Sequence, residues 1–294
     1  MMEAERVEKG LHALGHRVIR LDPMVAMERL VTEARKSDIV YLCLKDVNGT
    51  VEALLDRLGC PRTGTSLESL ILSKSKVALK FLFERHNIPT PVWESLSAPP
   101  AASWRPRVGF PMVAKPDRGG SSIGVFMVDT LSQLSPALDY IFNLGDTVVL
   151  EPRLSGMEVA CGVLEDDALP PILIRPRDAA FFDYQAKYTP GYADEIAPAP
   201  IDADLSMEIQ RLSLKAHRAV GMEGCSRSDF IVGDDGRPMM LEINSAPGMT
   251  FNSLVPKEAL AAGISYEDLM ARLLDLGLRR SKGHRETVPK RAVF

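Results

Sequence analysis

The stretch "SRSDFIVGDDGRPMMLEINSAPG" (Ser226–Gly248) sets two runs of alternating residues on either side of "DDG". Strict alternation is the period of a half-buried strand, and an Asp-Gly pair between two such runs signals a hairpin. A two-residue Asp235-Gly236 loop in a type I′ turn places Asp229 opposite Glu242 and Arg227 opposite Asn244. One face of the hairpin then gathers Arg227, Asp229, Glu242 and Asn244, while the other carries Ser228, Phe230, Val232, Leu241 and Ile243. Opposed like charges destabilise a strand pair unless a cation lies between them. Asp, Glu and Asn oxygens are hard donors of the kind Mg²⁺ accepts, with waters and phosphate oxygens completing its octahedron. The bland alternative is a solvated face whose charges are screened. Asn244, two residues after Glu242, and "SAPGMT" directly after it move the reading toward a site.

A cation site of this kind needs a phosphate donor, and "KPDRGGSSIG" (Lys115–Gly124) offers a place for one. It is neither a GxxxxGK[ST] loop nor a GxGxxG fingerprint. A lysine closes a strand, and a loop rich in Gly and Ser, including Ser121 and Ser122, leads into the next strand. Glycines let backbone N–H groups approach a polyanion, and hydroxyls add donors. A flexible hairpin loop fits that stretch equally well. Lys76, Lys115 and Lys187 each sit in a semi-apolar context. A lysine is costly to bury unless paired, so this placement points to phosphate contacts. "VVLEP" ends a strand at Glu151, whose carboxylate can accept from an amino group or a ribose hydroxyl.

Outward from these elements the chain reads as α/β. A helix with Val7, Leu11 and Leu14 on one face ends at Gly15 and is followed by a short strand "RVIRL". A helix around residues 25–35 leads to "DIVYLCL", an apolar run typical of a buried parallel strand. "GTVEALLDRLG" is a short helix, and "ESLILSKSKVALKFLFERHNIPTP" is a helix with Val77 and Phe81 on its apolar face. Strand pairs follow around the glycine loop and around Ser155-Gly156. "RPRDAAFFDYQAKYTPGYADEIAPAP" has little periodicity and many aromatics, which marks a functional loop more than a disordered one. Ile209, Leu212, Ala216 and Val220 make an amphipathic helix ahead of the hairpin, and a last helix runs near Tyr266–Leu276. The tail "RRSKGHRETVPKRAVF" reads as a solvated end.

The bulk numbers exclude several classes. With 294 residues, 46% hydrophobic and 25% charged, the chain supports two or three compact units with real cores. A net charge of −4 gives no nucleic-acid footprint. No apolar run has the length of a membrane span, and the N-terminus has no signal-peptide hydrophobic region. Cys43, Cys60, Cys161 and Cys225 are scattered without zinc spacing, as in a reduced cytoplasmic protein.

Taken in order, "GCPRTG", "SKSKVALK", "KPDRGGSSIG", "LEPRLSGMEV", "FFDYQAKY", "GCSRSDF" and "LEINSAPGMTFNSLVP" resemble the D-alanine–D-alanine ligase family of ATP-grasp enzymes. The match runs from about Gly49 to the last helix. The resemblance implies an ATP-grasp fold, α/β overall and α+β in its ATP-binding part. Its units would be a partial parallel α/β subdomain (residues 1–62), a central ATP-grasp subdomain (63–152) and a C-terminal one with metal site and lid (153–294). It also implies an ATP-dependent carboxylate–amine ligase that makes D-alanyl-D-alanine through an acyl phosphate. By motif, Lys76, Lys115, Ser122, Glu151, Leu154, Glu158 and Lys187 would hold ATP. Asp229, Glu242 and Asn244 would hold two Mg²⁺, with Mn²⁺ as a substitute. Ser121, Tyr188, Arg227 and Gly248 would serve the reaction, and Ser253 and Leu254 the substrate. The family further implies a homodimer acting on small amino acids.

Two departures fall together. The family begins with a strand and a Gly-rich loop bearing a glutamate for the first substrate's ammonium, whereas this sequence starts at the following helix. The family also carries a His-Gly…Gly-Glu-Asp-Gly-Thr segment. Aligned through Gly49-Thr50, Leu42 stands for the histidine and Val47-Asn48 for the Glu-Asp. Both departures concern the first amino-acid site. Poor joining of D-alanine, a different first carboxylate, and a nucleotide-binding homologue without turnover all remain open readings.

Overall fold

The computed structural model describes residues 2–43, 48–101, 103–120, 123–176 and 193–287. The opening hairpin is β9 (Cys225–Val232) and β10 (Pro238–Asn244), but its turn is not the expected two-residue type I′ loop. The pair nearest the turn is Val232↔Pro238, and the Gly236 N–H donates to the Gly233 carbonyl at 2.9 Å. Gly236 has φ +73°, so the connection is a longer loop closed by a left-handed glycine. That loop shifts the register by one residue, and a bulge between Met240 and Glu242 shifts it back. Asp229 therefore does face Glu242, and Arg227 does face Asn244. Leu241 is the bulged residue, and fully buried Met240 takes its expected place in the core.

Two antiparallel sheets carry the molecule. The smaller has the order β1-β4-β2-β3, from β1 (Glu94–Leu96), β2 (Met112–Pro116), β3 (Phe126–Val128) and β4 (Val148–Pro152). Helix α6 (Leu131–Asn143) starts in a Thr130/Gln133 capping box and lays Leu134, Ala137 and Ile141 over Met112, Ala114 and Leu150. The larger sheet has the order β10-β9-β5-β7-β8. Its other strands are β5 (Met157–Leu164), β7 (Ile172–Pro176) and β8 (Ala193–Ile196), with β6 (Asp167–Ala168) paired to β5.

The two faces of the larger sheet do different work. Val159 and Cys161 of β5 join Phe230, Val232, Met240 and Ile243 in the main core. That core is closed by α5 (Lys76–Arg85) through Leu79 and Phe83, and by α7 (Ala203–Val220) through Ile209, Leu212 and Ala216. The opposite face carries Glu158, Ala160 and Gly162 of β5, paired with Ile231, Asp229 and Arg227. Small residues at 160 and 162 admit α8 (Leu254–Ala261), whose Leu254 packs with Ala160, Ile172 and Ile174.

Three helical expectations need correction. Residues 67–85 form two helices, α4 (Leu67–Lys74) and α5, because Ser75 leaves helical geometry at φ −97°, ψ 113°. The Ser75 hydroxyl caps α5 by accepting the Ala78 N–H, which starts a new helix where periodicity alone continues the old one. Phe81 is exposed and rests edge-on against Trp93, so the buried stripe of α5 is Lys76, Leu79, Lys80 and Phe83. The last helix, α9 (Tyr266–Thr287), continues well into the tail read as a solvated end.

The N-terminal unit is held by α1 (Met2–Ala13), α2 (Met27–Ala34) and α3 (Thr50–Arg57). Val7 and Leu11 of α1 pack on Leu269, Met270 and Leu273 of α9. Among the described residues, "RVIRL" and "DIVYLCL" form no ladder. Their pairing is one parallel bridge, Val40↔Arg62, with Val40 N–H on the Pro61 carbonyl at 2.8 Å.

Candidate active site

Lys115 lies on β2 and Glu151 on β4, on the face turned away from α6, and Lys80 reaches them from α5. The Glu151 Oε1 lies 2.9 Å from Lys115 Nζ and 3.0 Å from Lys80 Nζ. Burial raises the Glu151 carboxyl, but the two ammonium groups outweigh it and hold the group below its usual range. Burial pushes Lys80 down to about 8, against the pull of Glu151. Lys80 Nζ also donates to Thr90 Oγ1 at 2.6 Å, and that hydroxyl donates to the Met240 carbonyl at 2.8 Å. Lys76, at the first turn of α5, turns its Nζ to the carbonyls of Asp117 and Gly119, each at 3.3 Å. Burial lowers its pKa, and the charge of Glu242 is the strongest influence opposing that. The hairpin carboxylate thus looks onto the lysine group.

Asp117 fixes this geometry. Its carboxylate accepts from Ser75 Oγ at 3.0 Å and from the Val77 N–H at 2.8 Å, so an acidic group sits on the N-terminus of α5. The glycine loop follows directly, with Gly119 at φ +137°, a conformation open only to glycine. Buried ammonium groups beside a glycine loop suit a polyanion. Sequence reasoning missed Lys80 and Asp117. The signal for Lys80 was its i, i+4 spacing from Lys76 on a stripe shared with Leu79 and Phe83. Ser121, Ser122, Lys187 and Tyr188, with the rest of the aromatic stretch 177–192, lie outside the described residues.

On the hairpin, Arg227 grips Asp229 with two parallel bonds, Nε to Oδ1 at 2.7 Å and Nη2 to Oδ2 at 2.8 Å. Burial works against the guanidinium charge, yet Asp229 and then Glu242 raise its pKa above the ordinary arginine value. Asn244 Nδ2 adds a bond to Asp229 Oδ2 at 3.2 Å. Among the described residues no group of three or more His, Cys, Asp or Glu side chains is placed to hold a metal. Two carboxylates and an amide make an incomplete shell, which fits a hard cation that completes its octahedron with phosphate and water oxygens.

The remaining expected residues flank this centre. Gly248 approaches so closely that a Cβ there would come to 2.9 Å from Ser253 Oγ, and Ser253 caps the turn by accepting the Thr250 N–H at 3.1 Å. Leu254 is buried behind them, and Glu158 lies on the Asp229 face of β5. Leu154, half-buried, follows β4. Beyond Asn244 the chain bounds a cavity of about 70 Å³ whose wall includes Glu3, Leu42, Glu52, Arg62, Ser245 and Met249. Glu3 Oε1 accepts the Met249 N–H at 2.9 Å. Leu42, one of the departures, is therefore a wall residue of the cavity beside the hairpin's end.

Two antiparallel sheets, one bearing buried lysines and a glycine loop and the other a carboxylate hairpin, define the ATP-grasp class of enzymes. A family model described as "D-ala D-ala ligase C-terminus" matches residues 83–275. The chain is 45% identical over 278 residues to a D-alanine–D-alanine ligase of Nitratidesulfovibrio vulgaris (strain DP4), covering 94% of this chain and 92% of that one. It is 44% identical over 277 residues to a D-alanine–D-alanine ligase of Oleidesulfovibrio alaskensis, covering 92% and 90% of the two chains. The structure of the Bacillus anthracis D-alanine–D-alanine ligase complexed with ATP superposes with a TM-score of 0.82 at 28% identity, covering 96% and 93% of the two chains. The chain belongs to the D-alanine–D-alanine ligase family.

Proposed function

We propose that the protein joins two D-alanines at the expense of ATP, as a step in making peptidoglycan precursors. The observation that carries this reading is that Lys80 and Lys115, paired with Glu151, and Lys76, on the Asp117 and Gly119 carbonyls, lie within the electrostatic reach of the Asp229–Glu242 hairpin face. Lys76, Lys115 and Lys187 bind the phosphates, with the glycine loop and Ser122 supplying further donors. Glu151, Leu154 and Glu158 receive the base and ribose. Asp229, Glu242 and Asn244 hold two Mg²⁺, or Mn²⁺ in their place. When bound, these ions neutralise charge on the phosphate oxygens. The γ-phosphoryl group passes from ATP to the first carboxylate, leaving ADP, and the second amine attacks the resulting acyl phosphate, forming the amide with release of phosphate and a proton. Arg227 and the Gly248 N–H stabilise the tetrahedral oxyanion, because preorganised donors act where charge develops. Ser121, Tyr188, Ser253 and Leu254 line the amino-acid site, and the aromatic segment closes over it to keep water from the acyl phosphate. Functionally we divide the chain at residues 62 and 152, and we place it in the cytoplasm as a homodimer.

Phosphate release dependent on D-alanine tests the reading, and its absence from the folded protein with ATP and Mg²⁺ would overturn it. Asp229→Asn and Glu242→Gln should each abolish turnover while leaving the protein folded, with a lowered melting temperature in Asp229→Asn because partly buried Arg227 loses the charge it grips. Near-normal turnover in either variant would sink the metal assignment. Leu42 in the cavity wall supports a second reading, a ligase whose first carboxylate is not D-alanine. A panel of D-amino and D-hydroxy acids in the same assay separates the two.

A further inference from the structure

Glu258 on α8 is fully buried and plays no part in the site described above. Its Oε1 accepts the Gly162 N–H at 2.9 Å, at the point where the β5–β7 ladder has ended at Ala160↔Ile172. Its Oε2 is buried with no hydrogen-bond partner among the described residues. A buried carboxyl oxygen without a partner costs free energy, and an aliphatic residue would fill this helix position without that cost.

The sheet register says where Oε2 lies. Gly162 is the cross-strand partner of Arg227, so a Gly162 side chain would stand beside the guanidinium on the same face. That space is taken by Glu258 instead, since a Cβ on Gly162 would come to 3.0 Å from Oε2. The missing side chain at 162 lets a carboxyl from α8 occupy the β5 position that pairs with Arg227. Burial pushes the Glu258 carboxyl up to about 8, against the pull of the Gly162 amide and the Arg227 guanidinium. The other charged groups around Arg227 are Asp229 on its own strand and Glu242 on β10.

We infer that Glu258 is a positioning residue that holds Arg227 in its working orientation when Asp229 is engaged by the cation. Asp229 has two tasks, gripping Arg227 and binding metal, and its two oxygens are already committed to the first. Glu258 supplies a second acceptor once its proton is given up to solvent, so the guanidinium keeps its place when its first partner is shared. The inference rests on the ligase reading for the role of Arg227, but not for the geometry.

Glu258→Gln keeps the shape and the bond to Gly162 while removing the ionisable oxygen. We expect kcat to fall about 10- to 100-fold, the usual cost of losing a supporting partner, with the KM for ATP and the melting temperature little changed. Gly162→Ala, which pushes Oε2 aside without removing a charge, should lower kcat in the same way. A strut that only caps Gly162 would show the reverse, wild-type kcat in Glu258→Gln, and that result overturns the inference. A crystal structure of the unaltered protein with ADP and Mg²⁺ decides independently of turnover. Glu258 Oε2 within hydrogen-bonding distance of an Arg227 nitrogen supports the role, and Oε2 still without that contact refutes it. If the unaltered protein releases no phosphate, the ligase reading fails and the crystal structure still gives the answer for Glu258.

Discussion

Lys80 and His217 show how the burial of one titratable side chain is answered in this fold. Lys80 is enclosed, and Glu151 and Thr90 satisfy its ammonium. His217 on α7 is buried too, but its partner is neutral: Nδ1 lies 2.7 Å from Ser226 Oγ. Burial pushes its pKa down from 6.5 to about 4, with Asp166 opposing, so the folded protein keeps it uncharged. The unfolded chain binds that proton more readily, so His217 stabilises the fold above pH 6.5 and the contribution is lost as pH falls toward 4. The full effect is of order 3 kcal/mol. We expect the melting temperature to drop across that window, and to drop less in His217→Gln, whose amide can keep the bond to Ser226. Equal acid sensitivity of the two proteins in a calorimetric pH series would place the sensitivity elsewhere.

The hairpin depends on a compensation between its turn and its bulge. The longer loop displaces the strands by one, and Leu241 absorbs the displacement, so Glu242 and Asn244 come round to the site face. Deleting Leu241 should remove the bulge while leaving Met240 opposite Phe230 and Glu242 opposite Asp229, because the bulged residue is the unpaired one. The expected outcome is a folded protein whose Glu242 and Asn244 still share a face with Asp229. A crystal structure of the deletion variant with Glu242 turned into the core would show that the bulge itself, and not the pairing on either side of it, sets the facing. Much of this was legible in the sequence: alternation gave both strands, and the facing of Asp229 with Glu242 was correct. The reason was not, because a two-residue turn without a bulge gives the same pairing at the site as a longer turn with one. The break at Ser75 escaped for a related reason. Helical periodicity runs smoothly from Leu67 to Arg85, and only the tertiary contact with Asp117 makes Ser75 a cap. Lys76, Lys115 and Glu151 stood out in the sequence by their context, whereas Lys80 hid among the apolar residues of its stripe. The N-terminal strands were expected from apolar runs, yet a strand needs neighbours, and the described chain offers "DIVYLCL" one bridge at Arg62.

At the scale of the molecule, α9 ties the C-terminal helices to the segment around Arg62. Arg280 donates to the carbonyls of Gly64 at 2.6 Å and Arg62 at 3.1 Å, and Arg62 is itself clamped on Asp56. Gly277 is what lets the helix come so close, since a Cβ there would stand 2.6 Å from the Arg62 carbonyl oxygen. Helix propensity alone makes Gly277→Ala stabilising by about 1 kcal/mol. The contact predicts the opposite sign, a loss of about 1–3 kcal/mol as the helix is forced off its neighbour. Chemical denaturation settles it, and a stabilised variant would show that α9 and the Arg62 segment are not tightly apposed there. None of the described helices is long and apolar enough to cross a membrane.

The short chain of bonds from Lys80 through Thr90 to Met240 has a consequence for the molecule as a whole. One end touches the ammonium group beside the glycine-loop sheet, and the other grips the backbone beside the bulge that aims Glu242 and Asn244. The link acts as a built-in gauge, setting the separation between the lysines of one sheet and the carboxylates of the other. Preorganisation of that kind spares the reaction the work of assembling its own electrostatics. It also means that a single hydroxyl calibrates the spacing between the two sheets that carry these groups.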